Sequence, residues 1–310
     1  MQIGFVGLGR MGANMVHRLR RDGDHAVVAF DPNPEARTAV EAFGATTTSS
    51  LDDLVAKLTP PRGVWIMVPS GKVTDDTVAR LQSLLDKGDT IIDGGNSNYH
   101  DSIARAASSA ERGIGFIDSG TSGGVWGLSV GYCLMAGGEH DTVEHWRPIF
   151  ETLAPPDGFL HVGPVGSGHF VKMVHNGIEY GMLQAYAEGF AIMQAKPDFG
   201  QLDLHAIAHL WNQGSVVRSW LLELAESAFA RDPQLDNLRG WVDDSGEGRW
   251  TVEDAMQLSV PAPVLALSLM ARYQSRLPDG FGNKVIAALR NEFGGHPVKA
   301  EASPEVPASR

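Results

Sequence analysis

The run Gly7-Leu8-Gly9-Arg10-Met11-Gly12 decides how the first half of this sequence folds. It matches G-x-G-x-x-G, follows directly on the apolar run Gln2–Val6, and leads into a helical segment beginning at Ala13. In that setting the first glycine permits a tight turn and the second lets the backbone approach a pyrophosphate. The third lets the helix pack closely on the strand. The helix N-terminus then faces the phosphate charge. A second apolar run, Ala26–Phe30, ends at Asp31, 19 residues after Gly12, where a carboxylate can accept hydrogen bonds from the adenosine ribose hydroxyls. Such a carboxylate repels a 2′-phosphate, and Pro32-Asn33-Pro34 brings no cation to hold one. NAD is therefore expected in preference to NADP, with Arg37 the nearby residue that could weaken the preference.

Working outward, short β-rich runs recur at 64–68, 90–93, 116–118, 132–136 and 159–162, most of them separated by helix-length segments. This alternation predicts a Rossmann-type α/β domain, a doubly wound parallel sheet wrapped by helices, over residues 1–165. Val68 and Pro69, at the end of the third run, are expected at the cofactor. From Gly166 on, the pattern is helical only, with segments at 167–194, 202–213, 219–229, 252–258 and 263–273. This predicts an all-helical C-terminal domain over 166–296. The stretch 297–310, with three prolines and little apolar content, is expected to be a flexible tail.

Bulk properties narrow the function class. A net charge of −12 without a basic run argues against a nucleic acid partner, which clustered Lys and Arg would have to neutralise. The single cysteine, Cys133, excludes an intrachain disulfide and fits a reducing compartment; its apolar surroundings predict a core position. No metal site is indicated. No signal segment is expected, since the apolar run Gln2–Val6 begins almost at once, and the most apolar later stretch, 259–271, is interrupted by two prolines and is too short to span a membrane, which takes roughly 20 residues. It is expected to be buried helix and turn, in a cytoplasmic protein with no membrane partner.

The chemistry is expected on the long helical segment. Lys172, His175, Asn176 and Glu179 stand at i, i+3, i+4 and i+7, so all four share one face. Lys172 and Glu179 are about 10 Å apart along the axis at 1.5 Å per residue, which suits a base and an acid bracketing a small substrate. Burying polar groups on a largely apolar helix is costly unless they are satisfied, which favours a site, but by periodicity alone the four residues read equally well as a solvated stripe.

The run Lys172-Met173-Val174-His175-Asn176-Gly177-Ile178-Glu179-Tyr180 resembles the signature helix of 6-phosphogluconate dehydrogenases. So do Ile91-Ile92-Asp93-Gly94-Gly95-Asn96-Ser97, Ser122-Gly123-Gly124, and Arg290-Asn291-Glu292-Phe293-Gly294-Gly295-His296. The resemblance implies NAD-dependent oxidation of 6-phosphogluconate at C3 and decarboxylation to ribulose 5-phosphate, a step of the pentose phosphate pathway and of gluconate utilization. It makes Lys172 the general base and then acid, and Glu179 the acid that protonates C1 of the enediol. Asn96, Ser122, Gly123, Gly124, His175 and Asn176 would hold the sugar acid, Asn96 also touching the nicotinamide ribose. Tyr180, Arg272, Arg290 and His296 would hold the 6-phosphate. In the family the C-terminal arginine and histidine reach a neighbouring subunit's site, which implies a homodimer or higher homo-oligomer with shared active sites.

The sequence departs from longer members of the family. It lacks their duplicated helical half, and Asp31-Pro32-Asn33 replaces an Asn-Arg-Thr run that receives the NADP 2′-phosphate. In Ser245-Gly246-Glu247-Gly248-Arg249-Trp250-Thr251, Ser245 and Glu247 replace a cation and a hydroxyl that help bind phosphate. The competing reading is another β-hydroxyacid dehydrogenase, of the 3-hydroxyisobutyrate or tartronate semialdehyde type, for which Glu179, Arg290 and His296 would be superfluous. A cofactor-sensing regulatory protein would need neither Lys172 nor Glu179.

Overall fold

A computed structural model describes residues 1–277, 279–294 and 297–299. Its eight strands are β1 (Gln2–Val6), β2 (Ala26–Phe30), β3 (Thr46–Thr48), β4 (Gly63–Ile66), β5 (Thr90–Asp93), β6 (Gly115–Ser122), β7 (Cys133–Gly138) and β8 (Phe159–Gly163). They form one sheet in the order β3-β2-β1-β4-β5-β6-β7-β8. Strand order reverses between β1 and β4, and at such a point the crevice beyond the C-terminal strand ends is where open α/β sheets take ligands. β4 and β5 are buried along their whole length. Apolar clusters cover both faces: Ile3, Phe5, Met15, Trp65 and Phe150 belong to one, and Val6, Leu54, Ile66, Leu81 and Ile91 to the other.

The parallel expectation fails at one pairing. β6 and β7 run antiparallel, from Ile117 opposite Gly138 to Ser122 opposite Cys133, because the link between them holds only a 3₁₀ turn, Gly124–Trp126, and a four-residue helix, Gly127–Val130, and no crossover helix of the length a parallel return requires. β3 is a strand that the reading of apolar runs passed over, since Thr46-Thr47-Thr48 carries no apolar residue. Cys133 is exposed rather than buried in the core: it stands on the last rung of the β6–β7 ladder, where the connecting segment joins the two strands.

Compactness divides the chain into two units, Met1–Glu179 with Gly246–Pro261, and Tyr180–Ser245 with the chain from Ala262 on. The division falls inside the 28-residue helix Ser167–Gln194. In the second unit Phe190, Leu204, Ala208, Leu222 and Phe229 form a separate core. The helix Pro263–Ser275 is not the buried element its composition predicts: only Ser268 and Leu269 are buried, while Val264, Leu267 and Met270 are exposed. Among the described residues no helix is long and apolar enough to cross a membrane.

The start of the long helix is pressed onto β6 and β7 through three glycines. A Cβ on Gly168 would lie 2.3 Å from the Asp118 carbonyl oxygen and 2.4 Å from that of Met135. One on Gly120 would meet the Lys172 Cβ at 2.4 Å, and one on Gly137 the Asp118 Oδ1 at 2.5 Å. The buried Asp118 carboxylate caps the helix, accepting from Gly166 N (2.6 Å) and His169 N (2.8 Å). Gly168→Ala should cost about 1–3 kcal/mol, the usual range for overpacking a close-fitted site. Urea unfolding measures it, and an unchanged midpoint would show that the helix does not need this approach.

Candidate active site

The nucleotide-binding loop closes at the C-terminal end of β1. Gly7 adopts φ +93°, and a Cβ there would lie 2.4 Å from the Met67 carbonyl oxygen, so no larger residue fits. A Cβ on Gly12 would lie 2.0 Å from the Gly7 carbonyl oxygen, which holds the helix Arg10–Asp22 against the loop. Gly9 is the N-cap of that helix, no side chain caps it, and the space over Gly9 is open. The first helical N–H groups are therefore free to meet an anion. Asp31 Oδ2 accepts from Leu8 N (2.7 Å) and Oδ1 from Asn33 N (2.8 Å), tying the end of β2 to the loop. Arg37 donates to the Asp31 backbone carbonyl at 2.7 Å. These features fit a dinucleotide.

Val68 and Pro69 follow β4 at the same sheet edge, and Asn96 is exposed on the turn after β5. That turn rests on a buried network that no local sequence signal reveals. Asp93 accepts from Gly95 N (3.1 Å), Ser97 Oγ (2.8 Å) and Arg105 Nη1 (3.2 Å), and Arg105 also reaches Asp75. Removing Arg105 strands a buried carboxylate. Arg105→Met should cost about 3–5 kcal/mol, as breaking one side of a buried ion pair does; a loss under about 1 kcal/mol by urea unfolding would dissociate Arg105 from the turn.

β6 runs on past the end of β5, Asp118 standing beside Asp93, so that Ser122 projects beyond the sheet edge. Lys172 packs on Gly120 and is 5% exposed. Its Nζ donates to Asn176 Oδ1 (2.5 Å) and lies 3.5 Å from Glu247 Oε2. Asn176 Nδ2 donates to the same carboxylate oxygen. His175 Nδ1 donates to Asn176 Oδ1 (3.0 Å), which leaves Nε2 to accept from the Ser122 hydroxyl (3.4 Å). Four expected residues, Ser122, Lys172, His175 and Asn176, thus form one chain of polar contacts. Glu179 is half-buried on the same helix and hydrogen-bonds to none of them. Gly123 and Gly124 form the turn after Ser122 at φ +131° and +52°.

Glu247 was expected to alter a phosphate pocket. Its carboxylate instead turns to Lys172 and Asn176, and the residue is 2% exposed. Burial pushes its carboxyl above the ordinary glutamate range, against the opposing charges of Lys172 and His169. It opens the helix Glu247–Gln257, which packs on the long helix where Gly177 leaves room for Thr251; the Thr251 hydroxyl donates to the carbonyls of Met173 and Glu247 (both 2.8 Å).

In the second unit the Arg272 guanidinium lies over the Tyr180 ring, 3.4 Å from its centroid, and donates to the Asp243 carbonyl (2.8 Å). Tyr180 Oη accepts from Ser245 N (3.1 Å). Arg290 is exposed on the helix Phe281–Gly294. His296 and most of 297–310 lie outside the described residues. Among the described residues no three His, Cys, Asp or Glu side chains are grouped to hold a metal.

Residues 2–163 match the NAD binding domain of 6-phosphogluconate dehydrogenase, and residues 168–301 match the C-terminal domain of the same enzyme. The chain belongs to the 6-phosphogluconate dehydrogenase family. Bacillus subtilis YqeC, itself named a member only provisionally, is 48% identical over 297 residues, covering 96% of this chain and 98% of its own. A Haloferax volcanii protein named as the NAD(+)-dependent, decarboxylating 6-phosphogluconate dehydrogenase is 42% identical over 301 residues, covering 96% of this chain and 98% of its own. Among solved structures, the Plasmodium falciparum 6-phosphogluconate dehydrogenase, studied with NADP+ and with 6-phosphogluconate, superposes with a TM-score of 0.82 at 26% identity. The match covers 98% of this chain and 67% of that longer one.

Proposed function

We propose that this chain is an NAD-dependent 6-phosphogluconate dehydrogenase that oxidises its substrate at C3 and releases C1 as CO₂. The observation that carries the reading is the buried Lys172, held by Asn176 on the helix face that also bears His175 and Glu179. A lysine amine at this position can take the C3 hydroxyl proton, then return it to the C3 oxygen as the C1–C2 bond breaks. Glu179, half-buried and uncommitted, is suited to protonating the carbon left behind. Asn96, Ser122, Gly123, Gly124, His175 and Asn176 are assigned to the sugar acid and its carboxylate. Tyr180, Arg272, Arg290 and His296 are assigned to the phosphate, where guanidinium forks match the oxygens. Gly7 to Gly12, Asp31, Val68, Pro69 and Asn96 would hold NAD, which supplies the hydride acceptor; Asp31 disfavours a 2′-phosphate. The active form is taken to be a homo-oligomer with shared sites, at least a dimer, working in the cytoplasm.

Initial rates with 6-phosphogluconate, 3-hydroxyisobutyrate and unphosphorylated gluconate, each with NAD and NADP, test this directly. Rapid NADH formation with 6-phosphogluconate alone is expected, and turnover of only an unphosphorylated acid would reject it. Lys172→Met should abolish turnover while cofactor binding persists. Arg272→Ala should raise KM at least tenfold with a smaller change in kcat, since the phosphate does not react; an unchanged KM would remove Arg272 from the site.

A further inference from the structure

Lys172 has to be an uncharged amine to act as a base, yet it is buried beside a carboxylate, which by itself favours the ammonium. Among the described residues Glu247 brings a carboxylate to 3.5 Å from Lys172 Nζ, and Asn176 bonds to both of them. Glu179, two helical turns further on, lies about 10 Å away along the axis. Both members of the pair are almost wholly removed from solvent, and a dry setting disfavours two separated charges relative to two neutral groups. The carboxylate is fixed as well as buried, because the Glu247 backbone is held through Thr251 to the carbonyl of Met173.

We propose that Glu247 shares one proton with Lys172, accepting it from the ammonium so that the Lys172 amine is free to take the proton of the C3 hydroxyl. The proposal rests on the reaction assigned above. In the transfer one N–H bond breaks and one O–H bond forms, so the pair remains neutral. The amine then takes the substrate hydroxyl proton, while the C3 hydrogen leaves with its electron pair to NAD. The pair now carries one positive charge, discharged when Lys172 protonates the C3 oxygen during decarboxylation. The other ionisable groups acting on Glu247 are His169, which opposes its protonation, and Glu179, which favours it; on Lys172 the Cys133 thiol also bears. Burial tilts the balance at Glu247 toward the protonated form. Glu247 is in this account a positioning residue for the proton of Lys172, touching neither substrate nor cofactor.

The experiment compares wild type, Glu247→Gln and Glu247→Asp by two readouts. In kcat/KM for 6-phosphogluconate against pH, Gln should move the acid-side limb at least one unit to higher pH. The amine must then lose its proton unaided. Activity at pH 7 should fall at least tenfold and recover at high pH, with KM within about threefold, and Asp should restore the limb. A limb that stays, or moves to lower pH, would overturn the proposal, the latter showing that Glu247 only stabilises the ammonium. The second readout needs no substrate: ¹³C NMR of labelled lysine and glutamate side chains, with signals assigned by Lys172→Met and Glu247→Gln. A shared proton makes each signal show both titration steps; one step per signal would mean a plain ion pair and reject the proposal. If the two steps are shared but wild type does not turn over 6-phosphogluconate, the pair stands and the assigned reaction falls.

Discussion

Everything at the candidate site depends on how closely the long helix Ser167–Gln194 approaches β6 and β7. Gly120, Gly137 and Gly168 remove the side chains that would hold it off. Asp118 then supplies two acceptors to the helix start, where backbone N–H groups have no partner of their own. The contact sets more than packing. It lays Lys172 against Gly120, two residues before Ser122, so the proposed base and the hydroxyl proposed to meet the substrate come from adjoining positions on rigid elements. The same sheet edge carries Gly7, Asp31 and the Asn96 turn, because all follow C-terminal ends of neighbouring parallel strands.

Burying Lys172 has an electrostatic consequence. A lone ammonium in this setting would be strongly penalised, and Asn176 and Glu247 together satisfy it. Buried ion pairs are weak sources of stability, since desolvation offsets most of the Coulomb gain. The arrangement is better understood as a means of keeping a titratable amine in one place. The Asp93–Arg105 network under the Asn96 turn follows the same logic with a permanent cation, and there the outcome is rigidity rather than proton exchange.

Much of this was legible in the sequence because it is local. The glycine motif sits between a strand and a helix, the apolar runs mark most strands, and residues 172, 175, 176 and 179 share a helix face by spacing alone. What escaped was set through space. Thr46–Thr48 became a strand by pairing with β2 rather than by hydrophobic pattern. Cys133 lies in an apolar run but at the uncovered end of a hairpin, and Val264, Leu267 and Met270 are apolar yet exposed in this chain. Glu247 stands 75 positions after Lys172 in sequence, and only packing at Gly177 and Thr251 shows that its carboxylate serves the lysine. Asp118, Arg105 and His169 give no sign of their roles until the sheet is assembled.

The most direct measurement of the account is the fate of C1. With [1-¹³C]6-phosphogluconate and NAD, the account predicts labelled CO₂ released in a one-to-one ratio with NADH, and a five-carbon ketose phosphate without label. NADH formed while the label stays in an organic acid would contradict it, showing that the Lys172 face carries out oxidation alone.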